Sequence, residues 1–424
     1  FILIISIVFG IEFSGGRYRI IEIFLFAVLL LLSNLFLAIL VGDYEPVFVN
    51  NMNLFKGLDF YFIFSVFISM VASAVYRQER FYVRFTYLIF SFIFILIVFY
   101  GVFKNGFMDA AIAFRFFAYP FILFLVGIRW GQAGGRLFEY LAYYIGFLYF
   151  ISIIFEYIFP VLFYNLTNAH EFVSTKFNFG SDFSAIDLFN MNYRKFLNFE
   201  YFSNIFVLRP RGLFFHSIST SYFFAFLAIV SITNKRFILF YLFFLGAFIS
   251  GSKGAIIALL FSVFMGYFFR YFNFRREFAI SVAVSLVVII IIFYIGLIVN
   301  NPHSVNITAA FGSLFNGNFI GYGVGFGGVH SSNSIAAFSD TGLGSLIGQF
   351  GWFFVIIYII YISVLNDSFN IKMRFLVFYA VFVLMNSVLQ EEGFSPYALG
   401  LPLLYLGAFS GAQLVVRSEP PVSG

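Results

Sequence analysis

The sequence predicts an all-α, polytopic membrane protein, a transmembrane helix bundle of about 12 to 14 spans at roughly 20 residues each. Of its 424 residues, 62% are hydrophobic and 10% are charged, and the mean hydropathy is +0.99. Soluble domains carry about 25% charged residues, so this chain has too few polar groups to cover its surface in water. Its long, repeated apolar runs favour helices over barrel strands, which alternate over about ten residues.

The apolar runs place the predicted spans. They cover residues 1–11, 20–41, 58–76, 85–103, 110–128, 138–160, 212–233, 237–249, 254–272, 278–299, 343–365, 375–390 and 394–415. The first run is short and the chain starts at Phe1 without a methionine, so we expect a trimmed first helix. No linker or repeat interrupts the series, and we predict one integral membrane domain over residues 1–424.

Basic residues alternate between the loops, as they do when cytoplasmic loops retain positive charge. One set of loops holds Arg17, Arg19, Arg77, Arg80, Arg84, Arg129, Arg136, Lys235, Arg236, Arg270, Arg275, Arg276, Lys372, Arg374 and Arg417. These loops are predicted to be cytoplasmic. The net charge of +5 then follows from membrane topology and does not indicate nucleic-acid binding. The two long loops, 161–211 and 300–342, and the turn Ser250–Lys253 are then extracytoplasmic.

Several kinds of chemistry are excluded by residue type. The chain has no cysteine, which removes disulfides, thiol catalysis and cysteine-ligated zinc. No His or carboxylate cluster has metal-ligand spacing, so we expect no metal and no other cofactor. Gly323, Gly325 and Gly328 match G-x-G-x-x-G, but no strand-helix-strand unit surrounds them and nucleotide binding is not indicated.

The long loop between residues 159 and 216 is polar and aromatic and ends in Arg209-Pro210-Arg211-Gly212. Two guanidinium groups at the start of the next span are suited to anionic oxygens. Earlier in this loop, apolar residues at spacings of three and four predict a short amphipathic helix on the bilayer surface. Those residues are Ile186, Phe189, Tyr193, Phe196 and Leu197.

Arg115 lies about 9 Å, or six residues, inside a predicted span. A charge in that position costs at least about 2.5 kcal/mol and usually faces a cavity or a partner. The simpler interpretation is a snorkelling Arg or one paired with Glu156. The functional interpretation is substrate binding, since its helix end faces the same side as Arg209 and Arg211.

The turn Ser250-Gly251-Ser252-Lys253-Gly254 joins two spans on the outer side. Its glycines allow close backbone approach, and its N–H groups open a helix whose dipole favours an anion. Lys253 adds a cation and is a candidate phosphate contact. The alternative is a simple helix-to-helix turn.

His330 and Asp340 are candidate catalytic residues in the second long loop. A histidine near neutral pKa can accept a proton from an attacking hydroxyl or hold a phosphate oxygen, and the glycine-rich segment before His330 presents it. Asp340 is either part of this site or a helix cap. Glu391 and Glu392 are either solvated side chains with no role or include a catalytic base that faces an outer cavity. His216 belongs either to the apolar core or to the site.

The chain resembles the O-antigen polymerase and ligase superfamily of bacterial membrane glycosyltransferases. The resemblance covers roughly residues 205–365. It rests on the segment from Arg209 to Phe214, the turn from Ser250 to Ala255, the glycines of 321–325 and the segment from Asp340 to Gly351. In the ligase branch a His-Ser or His-Asn pair is followed by glycines, and His330-Ser331 with Gly342 and Gly344 approaches that pattern. The sequence from Ser339 to Gly342 looks more like the polymerase branch. Lys253 departs from relatives, in which Arg is common.

The resemblance implies a GT-C-like enzyme of lipopolysaccharide biosynthesis in the bacterial inner membrane, with its active site facing the periplasm. Such an enzyme transfers a growing glycan from undecaprenyl diphosphate to a lipid-linked repeat unit by metal-independent inverting transfer. Arg115, Arg209, Arg211 and Lys253 would bind the diphosphate, and Arg211, His330 and Asp340 would be catalytic. The expected partners are the lipid-linked oligosaccharide, membrane lipid and a chain-length regulator, not nucleic acid.

Two other function classes remain open from the sequence. One is the ligase branch of the same superfamily. The other is a transporter or flippase for a lipid-linked glycan or small anion, which intramembrane cations would also suit. Against transport, no broken helix pair recurs in two halves of the chain.

Overall fold

A computed structural model describes most of the chain between residues 85 and 418. The described ranges are 85–177, 182–195, 206–268, 274–298, 300–316, 319–326, 341–359 and 396–418, together with Leu35, Ala38, Ile68, Phe179, Phe338 and Val388. These residues are mostly helical, as predicted.

The helices in chain order are α1 (Phe85–Asn105), α2 (Phe107–Ile158), α3 (Pro160–Leu166), α4 (Ala169–Phe177), α5 (Ala185–Asn192), α6 (Ser217–Thr233), α7 (Phe237–Ser250), α8 (Lys253–Phe268), α9 (Phe274–Ile298), α10 (Pro302–Phe315), α11 (Gly342–Phe350) and α12 (Leu401–Ser418). Two short strands, β1 (Tyr193–Lys195) and β2 (Phe206–Leu208), pair antiparallel between α5 and α6. A π-helical turn, Pro396–Gly400, leads into α12.

Three helical segments in the described part are long and apolar enough to cross a membrane: Asp109–Ile128, Glu139–Ile158 and Gly342–Ile359. Their positions match the predicted spans 110–128, 138–160 and 343–365, but the first two segments are parts of one continuous helix, α2. The bent pair Val282–Ile298 and Pro302–Phe315 adds a fourth if it forms one span. The described chain is therefore that of a helical membrane protein.

Some boundaries differ from the sequence prediction. Helix α2 is continuous through residues 129–137, where we predicted a cytoplasmic loop, because that segment has basic residues and glycines but no proline to end a helix. The predicted spans 212–233, 237–249, 254–272 and 278–299 correspond to α6, α7, α8 and α9. The predicted spans at 1–11, 20–41, 58–76 and 375–390 lie outside the described residues or are described at single positions only.

The chain divides into two compact units. Unit 1 comprises residues 1–71 and 133–259, and unit 2 comprises residues 72–132 and 260–424. In unit 1, every residue of α6 from Ser219 to Ile232 is buried. A helix that is apolar on all sides is one surrounded by protein or lipid, and among the described residues of this unit α6 is surrounded by protein.

Helix α7 packs closely along α6. The Ser221 hydroxyl donates to the carbonyl of Ala247 at 2.8 Å, and the rings of Phe224 and Phe243 stack at 6.1 Å. A Cβ on Gly246 would meet the ring of Phe224 at 2.9 Å. This packing fixes the end of α7, from which the turn Ser250–Lys253 starts.

The predicted loop 161–211 folds into α3, α4, α5 and the β1–β2 hairpin. Its buried residues include Tyr164, Phe172 and Leu188, which cluster with Phe215 at the start of the next helix. The predicted amphipathic helix exists but ends at Asn192, and its extension to Tyr193 is wrong because Tyr193 pairs with Leu208 in the hairpin. Phe196 and Leu197 lie outside the described residues.

In unit 2, α2 and α12 meet at glycines one helical turn apart. A Cβ on Gly127 would clash with the Leu404 carbonyl oxygen, and one on Gly131 would clash with that of Ala408. Gly407 approaches the Phe124 carbonyl in the same way. Small residues at this spacing let helix backbones approach within a membrane.

Gly131→Ala should therefore destabilise the protein by about 2 to 3 kcal/mol, the cost of overpacking a tight contact. Gly312→Ala is the matched control, since Gly312 lies in α10 with nothing within 4 Å of its added Cβ, and alanine there should be neutral or stabilising. Thermal unfolding in detergent measures both. Equal melting temperatures for the two variants would contradict the close α2–α12 contact.

Candidate functional site

Every backbone N–H group of the segment Arg209–Gly212 donates a hydrogen bond. The Arg209 N–H donates to the Asn192 carbonyl at 3.1 Å, and Pro210 has no N–H. The N–H groups of Arg211 and Gly212 donate to the two carboxylate oxygens of Glu156 at 2.9 and 2.7 Å. Thr220 adds a bond from its hydroxyl to the Arg211 carbonyl. These hydrogen bonds hold the backbone of the segment against α2, α5 and α6.

Gly212 permits the turn that joins this segment to α6. Its φ is +58°, in the left-handed region, where glycine has no steric penalty. A Cβ at this position would also lie 3.1 Å from the Ile153 side chain. The three residues Gly212–Phe214 form a short 3-10 turn, and His216 then caps α6 by accepting from the Ser219 N–H. The structure thus gives His216 a capping role.

Behind the segment lies a closed ring of buried hydrogen bonds. The Tyr164 hydroxyl donates to Glu156 at 2.8 Å, and the Asn192 side-chain NH₂ donates to the Tyr164 oxygen at 3.0 Å. The Asn192 side-chain oxygen in turn accepts from Arg211 Nε at 2.7 Å. The Arg211 N–H closes the ring on Glu156. We refer to Glu156, Tyr164, Asn192 and Arg211 as the buried ring.

The side chains of the buried ring have hydrogen-bond partners and are shielded from solvent. Glu156 has 0% exposure and Arg211 has 8%. Burial, reinforced by the negative charge of Glu156, raises the pKa of Tyr164 above its ordinary value, so its hydroxyl stays protonated and donates. A network with each member paired in a low dielectric is rigid, and it fixes the position of Arg211.

Arg209 leaves this segment in a different direction from Arg211 and lies against the turn after α7. A Cβ on Gly251 would lie 3.1 Å from Arg209 Nε, and Gly251 itself has a φ of +70°. Burial, and then the nearby Arg209 cation, lowers the pKa of Lys253 from its ordinary value. Arg209 and Lys253 are therefore neighbouring cations, and both are partly exposed. We call them the cation pair.

The cation pair lies at the N-terminus of α8. The first turn of a helix leaves backbone N–H groups without intrahelical partners, and its dipole favours negative charge. Two like charges held together repel each other, and an anion between them relieves that repulsion. With a helix N-terminus and two side-chain cations, the arrangement is suited to an anion with several oxygens, such as a phosphate.

The structure brings together two predicted site residues of unit 1, Arg209 and Lys253, whereas the side chain of the third, Arg211, is buried in the ring. Arg115 belongs to unit 2, where it lies within the candidate span Asp109–Ile128 and is half-buried. His330, Asp340, Glu391 and Glu392 lie outside the described residues. Their proposed roles stay predictions.

The glycine segment before His330 packs on unit 2 itself. Gly321, Gly323 and Gly325 all have positive φ, and their added Cβ atoms would lie 2.5 to 3.1 Å from protein atoms. The Asn105 side chain donates to three successive carbonyls there, from Tyr322 to Val324, at 3.0 to 3.1 Å. These glycines serve close packing against the protein, so the segment is not a loose loop.

Sequence reasoning missed the buried ring. It considered Glu156 only as a partner for Arg115, whereas the carboxylate accepts from Tyr164, Arg211 and Gly212. The available signal was an acid inside an apolar run, which in a span normally has a specific partner. Asn192 gave no such signal, because it stands in a polar loop where asparagine is common.

The fold and the site define a helical membrane protein with a rigidly supported cation pair. Comparison of the chain with protein-family models, curated proteins and solved structures gives no match.

Proposed function

We propose that this protein is a polysaccharide polymerase of the O-antigen type. It transfers a growing glycan from undecaprenyl diphosphate to a lipid-linked repeat unit at the extracytoplasmic face of the bacterial inner membrane. The observation that supports this most is the cation pair of Arg209 and Lys253 over the Gly251 turn. A lipid diphosphate is an anion that a cation site at the end of membrane helices would meet.

In the proposed reaction, a hydroxyl oxygen of the acceptor sugar attacks the anomeric carbon of the donor glycan. The bond between that carbon and the diphosphate oxygen breaks, and undecaprenyl diphosphate leaves with the electron pair. Arg209 and Lys253 would stabilise the negative charge that develops on the leaving group. His330 or Asp340 would take the proton of the acceptor hydroxyl. The activated donor supplies the energy, so no cofactor is needed.

Incubation of the purified full chain with a synthetic undecaprenyl diphosphate repeat unit tests this proposal. The polymerase proposal predicts a ladder of products lengthened by whole repeat units. Transfer only to lipid A core would instead indicate a ligase. With the protein reconstituted in vesicles, movement of the lipid-linked unit between leaflets without any new glycosidic bond would indicate transport.

The lowered pKa of Lys253 predicts a distinctive pH dependence. A lysine binds an anion only while protonated, so affinity should decline with rising pH earlier than it would for an ordinary lysine. Inorganic pyrophosphate, titrated calorimetrically into the purified protein from pH 7 to pH 10, measures this decline. Lys253→Arg should remove it, since guanidinium stays charged throughout that range. The same alkaline decline in both proteins would rule out Lys253 as its source.

A further inference from the structure

Glu156 accepts two of the three hydrogen bonds that the backbone N–H groups of the segment Arg209–Gly212 donate. Its two oxygens accept from consecutive N–H groups, those of Arg211 and Gly212, at 2.9 and 2.7 Å. The carboxylate is fully buried and projects from α2, a helix 52 residues long. Glu156 lies in the part of α2 that belongs to unit 1, so this contact ties the connecting segment to a helix of the same unit.

The geometry points to Glu156 as the positioning residue of the cation pair, holding Arg209 where it can grip a diphosphate together with Lys253. This inference rests on the proposed function, and it assigns to that site a residue that itself does not touch the substrate. Glu156 acts through the backbone of Arg211 and Gly212, and through Tyr164 and Asn192 to the Arg211 side chain.

An acid is needed here because of the donors that surround it. Three donors converge on the two oxygens, from Tyr164, Arg211 and Gly212. Glutamine has the same shape but replaces one oxygen with an NH₂ group, which would face an N–H or O–H donor. The donor left without an acceptor would then pull away or rotate, and the segment carrying Arg209 would shift with it.

The test is calorimetric titration of inorganic pyrophosphate into the purified full chain. Glu156→Gln should raise the Kd about tenfold, the effect of one buried donor losing its partner. Glu139→Gln is the matched control, since Glu139 lies on the same helix about 25 Å away and pairs with Arg236 at 3.6 Å. Its Kd should stay within about twofold of the wild-type value. A wild-type Kd for Glu156→Gln would overturn the inference.

A double-mutant cycle separates positioning from a merely structural role. If Glu156 acts through Arg209, then Glu156→Gln should have almost no further effect on the Kd in an Arg209→Ala background. If Glu156 only stabilises the fold, the two variants should multiply, or the Kd should stay constant while the fraction of binding-competent protein falls. Either of these results would contradict positioning.

Asn192→Ala provides a second route if Glu156→Gln does not fold. It removes the acceptor of Arg211 Nε and leaves both backbone bonds to Glu156 in place. The Kd for pyrophosphate should rise about fivefold, and an unchanged Kd would count against the buried ring as a support. Wild-type protein that neither binds pyrophosphate nor lengthens lipid-linked glycan would overturn the proposed function itself. Wild-type protein that does both, beside an unaffected Glu156→Gln variant, would overturn only the positioning inference.

Discussion

Arg209→Ala should lower the rate of glycan lengthening by about 100-fold or more, the usual effect of removing one preorganised donor from a developing oxyanion. Arg209 lies against Gly251 and next to Lys253, so its loss leaves one cation where two would hold the diphosphate. Its backbone bond to Asn192 does not involve the side chain, and the fold should persist. Product ladders from equal amounts of purified protein measure the effect.

Lys235→Ala is the matched control for Arg209→Ala. Lys235 is an exposed cation in the turn between α6 and α7, and its φ of +58° costs alanine about as much as lysine. The variant removes one positive charge without touching the buried ring, so lengthening should stay close to wild type. Similar losses in both variants would mean that net charge, and not the cation pair, controls the reaction.

Arg211→Ala should abolish lengthening while leaving membrane insertion intact. Its Nε donates to the Asn192 side-chain oxygen at 2.7 Å inside the buried ring. Truncation leaves the buried Asn192 oxygen without this donor, and a buried polar group that loses its partner typically costs about 1 to 3 kcal/mol. Ladder formation and the amount of protein in the membrane fraction give the two readouts.

Arg211→Lys distinguishes charge from geometry in this position. Lysine keeps the cation but has no Nε–H at the point where Asn192 accepts, because its single ammonium lies at the end of a flexible chain. We expect it to recover only a small part of the lengthening. Near-normal ladders from Arg211→Ala would remove Arg211 from the proposed site.

The helical class and most helix positions could be predicted from the sequence, because long runs of apolar residues can be recognised without knowing which residues are in contact. The proximity of Arg209 to the turn Ser250–Lys253 also followed, since both were assigned to the same side of the membrane. The β1–β2 hairpin could not be predicted. Its strands have three residues each, and Tyr193 continues the helical spacing of α5.

The support behind the site could not be predicted for a different reason. Glu156 and Arg211 are separated by 55 residues. No local sequence pattern predicts which buried acid accepts a hydrogen bond from which backbone N–H. Asn192 reaches the site only because α5 ends there and the hairpin returns Arg209 beside it. Contacts of this kind depend on how the loop 161–211 folds, and its own composition gives only the class of structure.

Binding of undecaprenyl diphosphate to the protein in nanodiscs tests most directly whether the cation pair holds a lipid diphosphate. The wild-type protein should be compared with the double variant Arg209→Ala and Lys253→Met, which keeps the apolar stem of the lysine and removes both charges. We predict that the double variant binds at least about 50-fold more weakly, since two charge-assisted contacts are lost. Equal affinity of the two proteins for the lipid diphosphate would contradict the account.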